Sequence, residues 1–520
     1  MTTEHYSPRR HQDQPPGAGS ADPPPRDACG VFGIYSTDED VARTTFFGLY
    51  ALQHRGQESA GIAVSDGEEI RFYKNMGLVS QVFTEDILRQ LEGHIAIGHN
   101  RYSTTGSSRV ENAQPILYDG PLGKVMVAHN GNITNAASIR GELDALGYSF
   151  QTTTDSELIA ALAATGGQDS VVANIQAAMP RLEGSYSLVF LTKDAVIGVR
   201  DPLGNRPLCV GRVNGAWVLA SESCALETVG AQFEREVAPG EIVVITAEGI
   251  ESVHGQPSRR QALCLFEYVY LARPDSIIEN KRVYEARWEM GHQLAQEHPA
   301  DADVVIGVPL SAITAAQGYA EASGLPYRDG LIHNRYIHRT FIQPELRQRQ
   351  TTADLKYNAI PEIVGGKRVV VVDDSLVRGN SQEKFIKLLR GAGAREVHLR
   401  IHCPPLRHPC VLGVDMATYG ELIAHRITEE EWDGRNGHQS GALPQAASDG
   451  LRTVPTDVEA IRRHVGADSL GYLSLAGLIK AVDLAAGGLC TGCWTGAYPV
   501  PVQLPFEAVS TKFALETAGR

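Results

Sequence analysis

Apolar residues in the first half of the chain come in short blocks separated by turn residues. CGVFGIYS, from Cys29, reads as a buried strand, an apolar-periodic stretch over 41–52 predicts a helix, and SAGIAVSD predicts a second strand. HIAIGHNRYS, KVMVAHNG, SYSLVFLT, AVIGVRD, GAWVLASE and EIVVITAEG continue the strand pattern to about Thr246. Helical spacing recurs near 139–146, 156–164 and 171–179. Strands arriving as hairpins, with a few helices, predict an α+β layer structure with antiparallel sheets.

Beyond Ala262 the rhythm changes. A helical pattern over 283–296 precedes the strand ADVVIGVP, the helix AITAAQGYAEAS and a short strand. KRVVVVDD, the helix SQEKFIKLLRGAG and the strand EVHLRIH follow. Strands alternating with helices of about 10–15 residues predict βαβ units and a parallel sheet. Two domains of different class therefore meet near Gln261. The division is 1–28 as a polar, Pro-rich arm, 29–262, 263–480, and a tail over 481–520. The stretch 429–454 is polar and Gly-rich and reads as a loop.

Composition narrows the class. The chain has 520 residues, 43% apolar and 21% charged, ordinary for a globular protein. A net charge of −14 speaks against nucleic acid as a partner. The chain contains no apolar run of membrane-spanning length, so a membrane partner is not expected. The arm lacks the apolar region of a secretion signal, so a cytoplasmic location is expected. Eight cysteines are too sparse for a disulfide scaffold. They suffice for a nucleophile or a metal site.

The segment VVVVDDSLVRGNS (369–381) runs from a strand buried on both faces into a small polar turn before a helix. Such a turn offers backbone N–H groups to a phosphate from Ser375, Arg378, Gly379, Asn380 and Ser381. Asp373 and Asp374, at the strand's C-terminal end, suit ribose hydroxyls or Mg²⁺. A lone VVDD would read as an acidic helix cap; the full 13-residue pattern resembles that of type I phosphoribosyltransferases, which bind phosphoribosyl pyrophosphate.

Cysteine attacks as thiolate and needs a base. Removal of 1–28 would make the α-amino group of Cys29 that base, with a pKa of about 7.7–8. Alone, Cys29 would read as a small buried residue starting a strand. It is accompanied by LQHRGQESAG (52–61), GHNRYST (98–104), AHNGNITN (128–135) and TTTDSE (152–157). Arg101 can grip a carboxylate in a bidentate fork, and Asp155 can pair with an ammonium. The Asn130 side chain and the Gly131 N–H can stabilise an oxyanion. Taken singly, each of these is a common turn or surface-pair residue.

Together with CGVFGI these motifs resemble the glutaminase domain of the N-terminal nucleophile (Ntn) hydrolase amidotransferases. The order glutaminase, then type I phosphoribosyltransferase, resembles the family of glutamine phosphoribosylpyrophosphate amidotransferases. DPLGNRPL, ASES, APGE, YVYLARPDS and NRYIHRTFIQP (334–344) extend the likeness to about Pro499. The resemblance implies an α+β Ntn-hydrolase glutaminase domain followed by an α/β phosphoribosyltransferase domain with a parallel sheet.

Implied with it is a pentosyltransferase that makes 5-phosphoribosylamine, glutamate and pyrophosphate from glutamine and phosphoribosyl pyrophosphate, opening purine biosynthesis. The same resemblance implies Cys29 as nucleophile, an apolar passage for ammonia, and Mg²⁺ at Ser311, Asp373 and Asp374. It also implies purine-nucleotide feedback and a homotetramer. The sequence departs from the family at Leu310, where an acid is usual, at His333, where lysine is common, and at RGNS, where RGTT is usual. The alternative is a paralogous glutamine-dependent transferase acting on a different phosphorylated sugar. A phosphoribosyl-pyrophosphate-binding regulator without catalysis is opposed by the intact glutaminase motifs.

Cys490 and Cys493 have the spacing of a metal or redox pair, while Cys264 and Cys410 stand alone. In the propeptide-bearing branch of the family, cysteines at these four positions ligate a 4Fe–4S cluster. Four thiolates also suit zinc. Cys209, Cys224 and Cys403 read as ordinary buried thiols.

Overall fold

The computed structural model describes residues 29–102, 108–333, 357–414, 416, 418–427 and 456–502. The arm 1–28, the segment 334–344, the polar stretch 429–454 and the chain beyond 502 lie outside the described residues.

Two antiparallel sheets pack face to face in the first half. One has seven strands, in the order Gln232–Glu236, Cys209–Val213, Ala216–Ala220, Gly30–Tyr35, Ile95–Arg101, Ser59–Ser65 and Ile70–Met76. The other has six: Gly249–His254, Glu241–Thr246, Val196–Arg200, Gly184–Leu191, Gly123–Ile133 and Ile116–Gly120. Alternation sends Val31, Ile97 and Leu219 of one sheet against Met126 and Val189 of the other. The outer faces carry helices. Val41–Ala51, capped by the Asp40 carboxylate on Arg43 N (3.0 Å), covers Phe32 and Ile62. Asp155–Thr165 covers Val125 and Leu188. Four layers result, helix–sheet–sheet–helix.

The second half is built on a four-stranded parallel sheet ordered Val304–Gly307, Arg368–Asp373, Glu396–Ile401 and Ser469–Tyr472. Val369 to Val372 are at most 1% exposed, as a central strand covered on both faces requires. Helices Val283–Glu297, Ile313–Ser323 and Asn380–Gly391 cover the sheet. The last of these starts at Gly379, whose φ of +89° suits glycine.

The sequence pattern omitted several polar or short strands, among them Ile70–Met76, Gln232–Glu236 and Ser469–Tyr472. The tail returns to the junction: Leu489–Cys490 pairs in parallel with Leu263–Cys264. Helix Leu475–Val482 packs beside Val283–Glu297 and runs past residue 480, so the expected tail begins inside a packed helix.

Candidate active sites

Cys29 opens the strand Gly30–Tyr35 and is 5% exposed. Its thiol donates to Tyr102 O (3.2 Å) and accepts from Tyr102 N (3.3 Å), while its carbonyl accepts from Arg55 Nε (3.1 Å). Burial pushes the thiol up to about 11, against the lowering effect of the Tyr102 N–H and the Arg101 charge. At neutral pH it is a thiol. It needs a base to become a nucleophile.

Sheet pairing brings the other candidates to it. Ser59 lies opposite Arg101 and Gly30 opposite Asn100. Cys29, Arg101, Tyr102, Gln114, His129, Gly131, Thr154 and Asp155 line one small pocket. Arg101 is 2% exposed, and its Nη1 donates to Glu58 Oε1 at 2.6 Å. Asp155 accepts from Ile133 N (3.0 Å) and stands 3.6 Å from His129 Nδ1. Burial would raise its carboxyl, but His129 and the Ile133 N–H outweigh burial and hold it below its ordinary value.

Asn130 is fully buried, and both atoms of its amide lack a hydrogen-bond partner among the described residues. An orphaned buried amide costs about 1–3 kcal/mol, so its retention points to a ligand or transition state that satisfies it. Gly131 has φ +149°, and a Cβ there would lie 2.0 Å from Ser185 O. Only glycine fits. Tyr102, His129 and Thr154 lie in the motifs read from the sequence but are given no role there, and Gln114 lies outside those motifs. Gln114 Oε1 accepts from His129 N (2.7 Å), a contact between segments that no local motif announces.

At the second site the acidic pair sits where the central strand ends. The Ser311 hydroxyl donates to Asp374 Oδ2, and Ser375 Oγ donates to Asp374 Oδ1 at 2.6 Å. Asp373 accepts from Asp374 N (3.0 Å) and Gln382 Nε2 (2.7 Å). Burial, then the neighbouring Asp374 charge, raises Asp373 well above its ordinary value, and burial raises Asp374 too. Two buried carboxylates braced by neutral donors fit a hard divalent cation, which would remove their mutual repulsion. Gly379, Asn380 and Ser381 form the N-terminal turn of the following helix, with Arg378 half-buried before it. Leu310, beside Ser311, is 61% exposed.

The four candidate ligand cysteines come from three segments. Cys264 lies opposite Cys490 in the junction bridge, and Cys493 O accepts from Arg407 N and His408 N, both at 3.0 Å. Cys410 Sγ accepts from Leu412 N at 3.4 Å. Burial pushes Cys264 up to about 12 and Cys490 up to about 11; Cys410 raises each further, and Arg206 lowers both. Cys493 is likewise raised by burial and by Cys490, Cys410 and Cys264. Among the described residues no three His, Cys, Asp or Glu side chains are already drawn together as metal ligands. The donor set nonetheless suits a thiolate-bound centre in kind. Cys209, Cys224 and Cys403 are buried.

A glutaminase-type Ntn site and a phosphoribosyltransferase site on one chain define a two-domain amidotransferase. Family models agree: a glutamine amidotransferase domain matches residues 99–228 and a phosphoribosyl transferase domain matches 276–410. The amidophosphoribosyltransferase of Synechococcus elongatus is 46% identical over 95% of both chains. That of Mycobacterium tuberculosis is 45% identical over 95% of this chain and 90% of its own. A solved B. subtilis glutamine phosphoribosylpyrophosphate amidotransferase, complexed with ADP and GMP, superposes with a TM-score of 0.82 at 41% identity. It covers 93% of this chain and 100% of its own. The chain belongs to the amidophosphoribosyltransferase family. It is a pentosyltransferase that carries out glutamine-dependent amidotransfer to phosphoribosyl pyrophosphate in purine biosynthesis.

Proposed function

We propose that Cys29, freed at its α-amino group by loss of residues 1–28, is the glutaminase nucleophile. The α-amine takes the thiol proton, and sulfur attacks the glutamine amide carbon. The oxyanion that forms is held by the Asn130 side-chain N–H and the Gly131 N–H. Collapse expels ammonia, which takes the proton, and leaves a glutamyl thioester. Water then hydrolyses it to glutamate. Arg101 binds the α-carboxylate of glutamine and Asp155 its α-ammonium. What carries this reading is the common pocket of Cys29, Arg101, Gly131 and Asp155, with the orphaned Asn130 amide beside it.

Ammonia crosses an apolar passage, which keeps it unprotonated, and displaces pyrophosphate from ribose C1. Ser375, Arg378, Gly379, Asn380 and Ser381 cradle the 5-phosphate. Ser311, Asp373 and Asp374 are the residues to hold Mg²⁺, which neutralises the leaving pyrophosphate when bound. Cys264, Cys410, Cys490 and Cys493 are the residues to hold a 4Fe–4S cluster with a structural role, tying the tail to the junction. By likeness to the ADP- and GMP-bound relative, purine nucleotides are the expected regulators. A homotetramer in the cytoplasm completes the reading; no described helix is long and apolar enough to cross a membrane.

The test is a split of activities. Cys29→Ala should abolish synthesis from glutamine and spare synthesis from ammonia. A folded Cys29→Ala protein inactive with both nitrogen sources would overturn the division of labour.

A further inference from the structure

Residues Val411–Gly413 belong to the phosphoribosyltransferase half, just after Cys410, yet they seat on the strands that build the glutaminase pocket. Val411 O accepts from Asn132 Nδ2 at 2.9 Å. Leu412 O accepts twice, from Ser185 Oγ at 2.8 Å and from Arg206 Nη2 at 2.6 Å. Ser185 and Arg206 are both buried. Asn132 and Ser185 are direct partners across the strands Gly123–Ile133 and Gly184–Leu191, and Gly131 is the next position along. Gly413 then lies against Gly131 itself: a Cβ on Gly413 would stand 2.9 Å from Gly131 C and 3.0 Å from Gly131 O. Gly413 has φ +94°, so glycine is needed there both for its backbone angle and for the close approach. The loop is closed at its root by Cys410 N donating to Met416 O at 2.8 Å.

We propose that Val411–Gly413 is a positioning element for the oxyanion hole, a backstop supplied by the other domain that holds the Gly131 Cα, and with it the N–H that the residue carries, in place. The proposal rests on the reading of Asn130 and Gly131 as oxyanion donors. Gly413 backs the Cα, C and O of Gly131, and so holds the Cα that carries the donor N–H on its other side; the strand Gly184–Leu191 pairs with Gly131 at Tyr186. Catalytic donors must hold position within about 0.5 Å to stabilise developing charge. Four contacts from three consecutive residues supply that constraint. The glutaminase pocket is therefore complete only when the second domain is docked against it.

A displaced oxyanion donor weakens the transition state and not the ground state, so kcat falls while KM holds. Gly413→Ala should lower kcat for glutamine hydrolysis about 10- to 100-fold, with KM for glutamine and ammonia-dependent synthesis essentially unchanged. Ser185→Ala removes one anchor of Leu412 without touching the backbone at Gly413. It should lower kcat about three- to tenfold with the same KM. Ser185→Ala decides the matter if Gly413→Ala does not fold. Wild-type kcat in a folded Gly413→Ala protein overturns the proposal, as does a parallel loss of kcat, glutamine affinity and ammonia-dependent synthesis. Asn130→Ala separates the two layers. If it leaves kcat unchanged, the oxyanion reading fails and the proposal with it. If it lowers kcat while Gly413→Ala and Ser185→Ala do not, only the proposal fails.

Discussion

Arg55 and Glu267, 212 residues apart and on opposite sides of the domain junction, form a two-point ion pair with neither side chain exposed: Nη2–Oε1 is 2.8 Å and Nη1–Oε2 is 3.0 Å. Arg55 also donates to Glu222 Oε1 at 2.5 Å and to the Cys29 carbonyl. Glu267 takes a second cation, Arg206, at 3.1 Å. Burial alone would weaken the Arg55 cation, but Glu267 and Glu222 raise its pKa instead. The Cys29 backbone is thereby tied through one glutamate to the arginine that anchors Leu412.

Removing one partner of a buried pair leaves charge without compensation, which costs about 3–5 kcal/mol. Glu267→Gln keeps the shape, strands the charge of Arg206 and leaves Arg55 with the charge of Glu222 alone. It should lower the unfolding free energy by that order, read in a urea titration. A stability within about 1 kcal/mol of the parent would mean that the network contributes little.

Asp373→Asn separates function from stability. The folded-state pKa of Asp373 is raised, so its ionised form is a destabilising presence above its unfolded value near 3.9. The sign follows: neutralising it should stabilise the metal-free protein at pH 7 by about 0.5–2 kcal/mol. Synthesis from both glutamine and ammonia should nevertheless collapse. Thermal melts without divalent cation, set beside both assays, check the two halves of this expectation.

The thiol of Cys29 is held near 11, so catalysis at neutral pH depends on its base. An α-amine with a pKa of about 7.7–8 must be unprotonated to act. The kcat/KM for glutamine should therefore rise with pH through that range and level off above it. Intact-mass measurement should find the chain beginning at Cys29. Full glutaminase activity in protein retaining Met1 would defeat the α-amine as base.

Protein purified without oxygen should be brown and hold about four irons per chain. Oxygen should bleach it and lower its melting temperature, because the centre would link Cys264, Cys410, Cys490 and Cys493 across three segments. Colourless protein with stoichiometric zinc would replace the cluster by a zinc site.

Local pattern was enough for the elements whose environment is uniform. Val369 to Val372 are apolar because both faces of their strand are covered, and the acidic pair follows because the strand ends at the ligand edge. Cys29, Arg101, Gly131 and Asp155 were legible as separate motifs with separate chemistry. Strands such as Gln232–Glu236 were not, since a polar edge strand with an irregular register carries no clear alternation. What no reading of neighbours along the chain can supply is contact between distant backbones. Glu267 is one residue in FEYVYL until folding sets it between Arg55 and Arg206. Gly413 is one glycine in a loop until folding lays it on Gly131. Hydrophobic periodicity records which side of an element is buried. Which buried charge or peptide it meets there is decided by packing of whole domains, and that decision exists only in the tertiary structure.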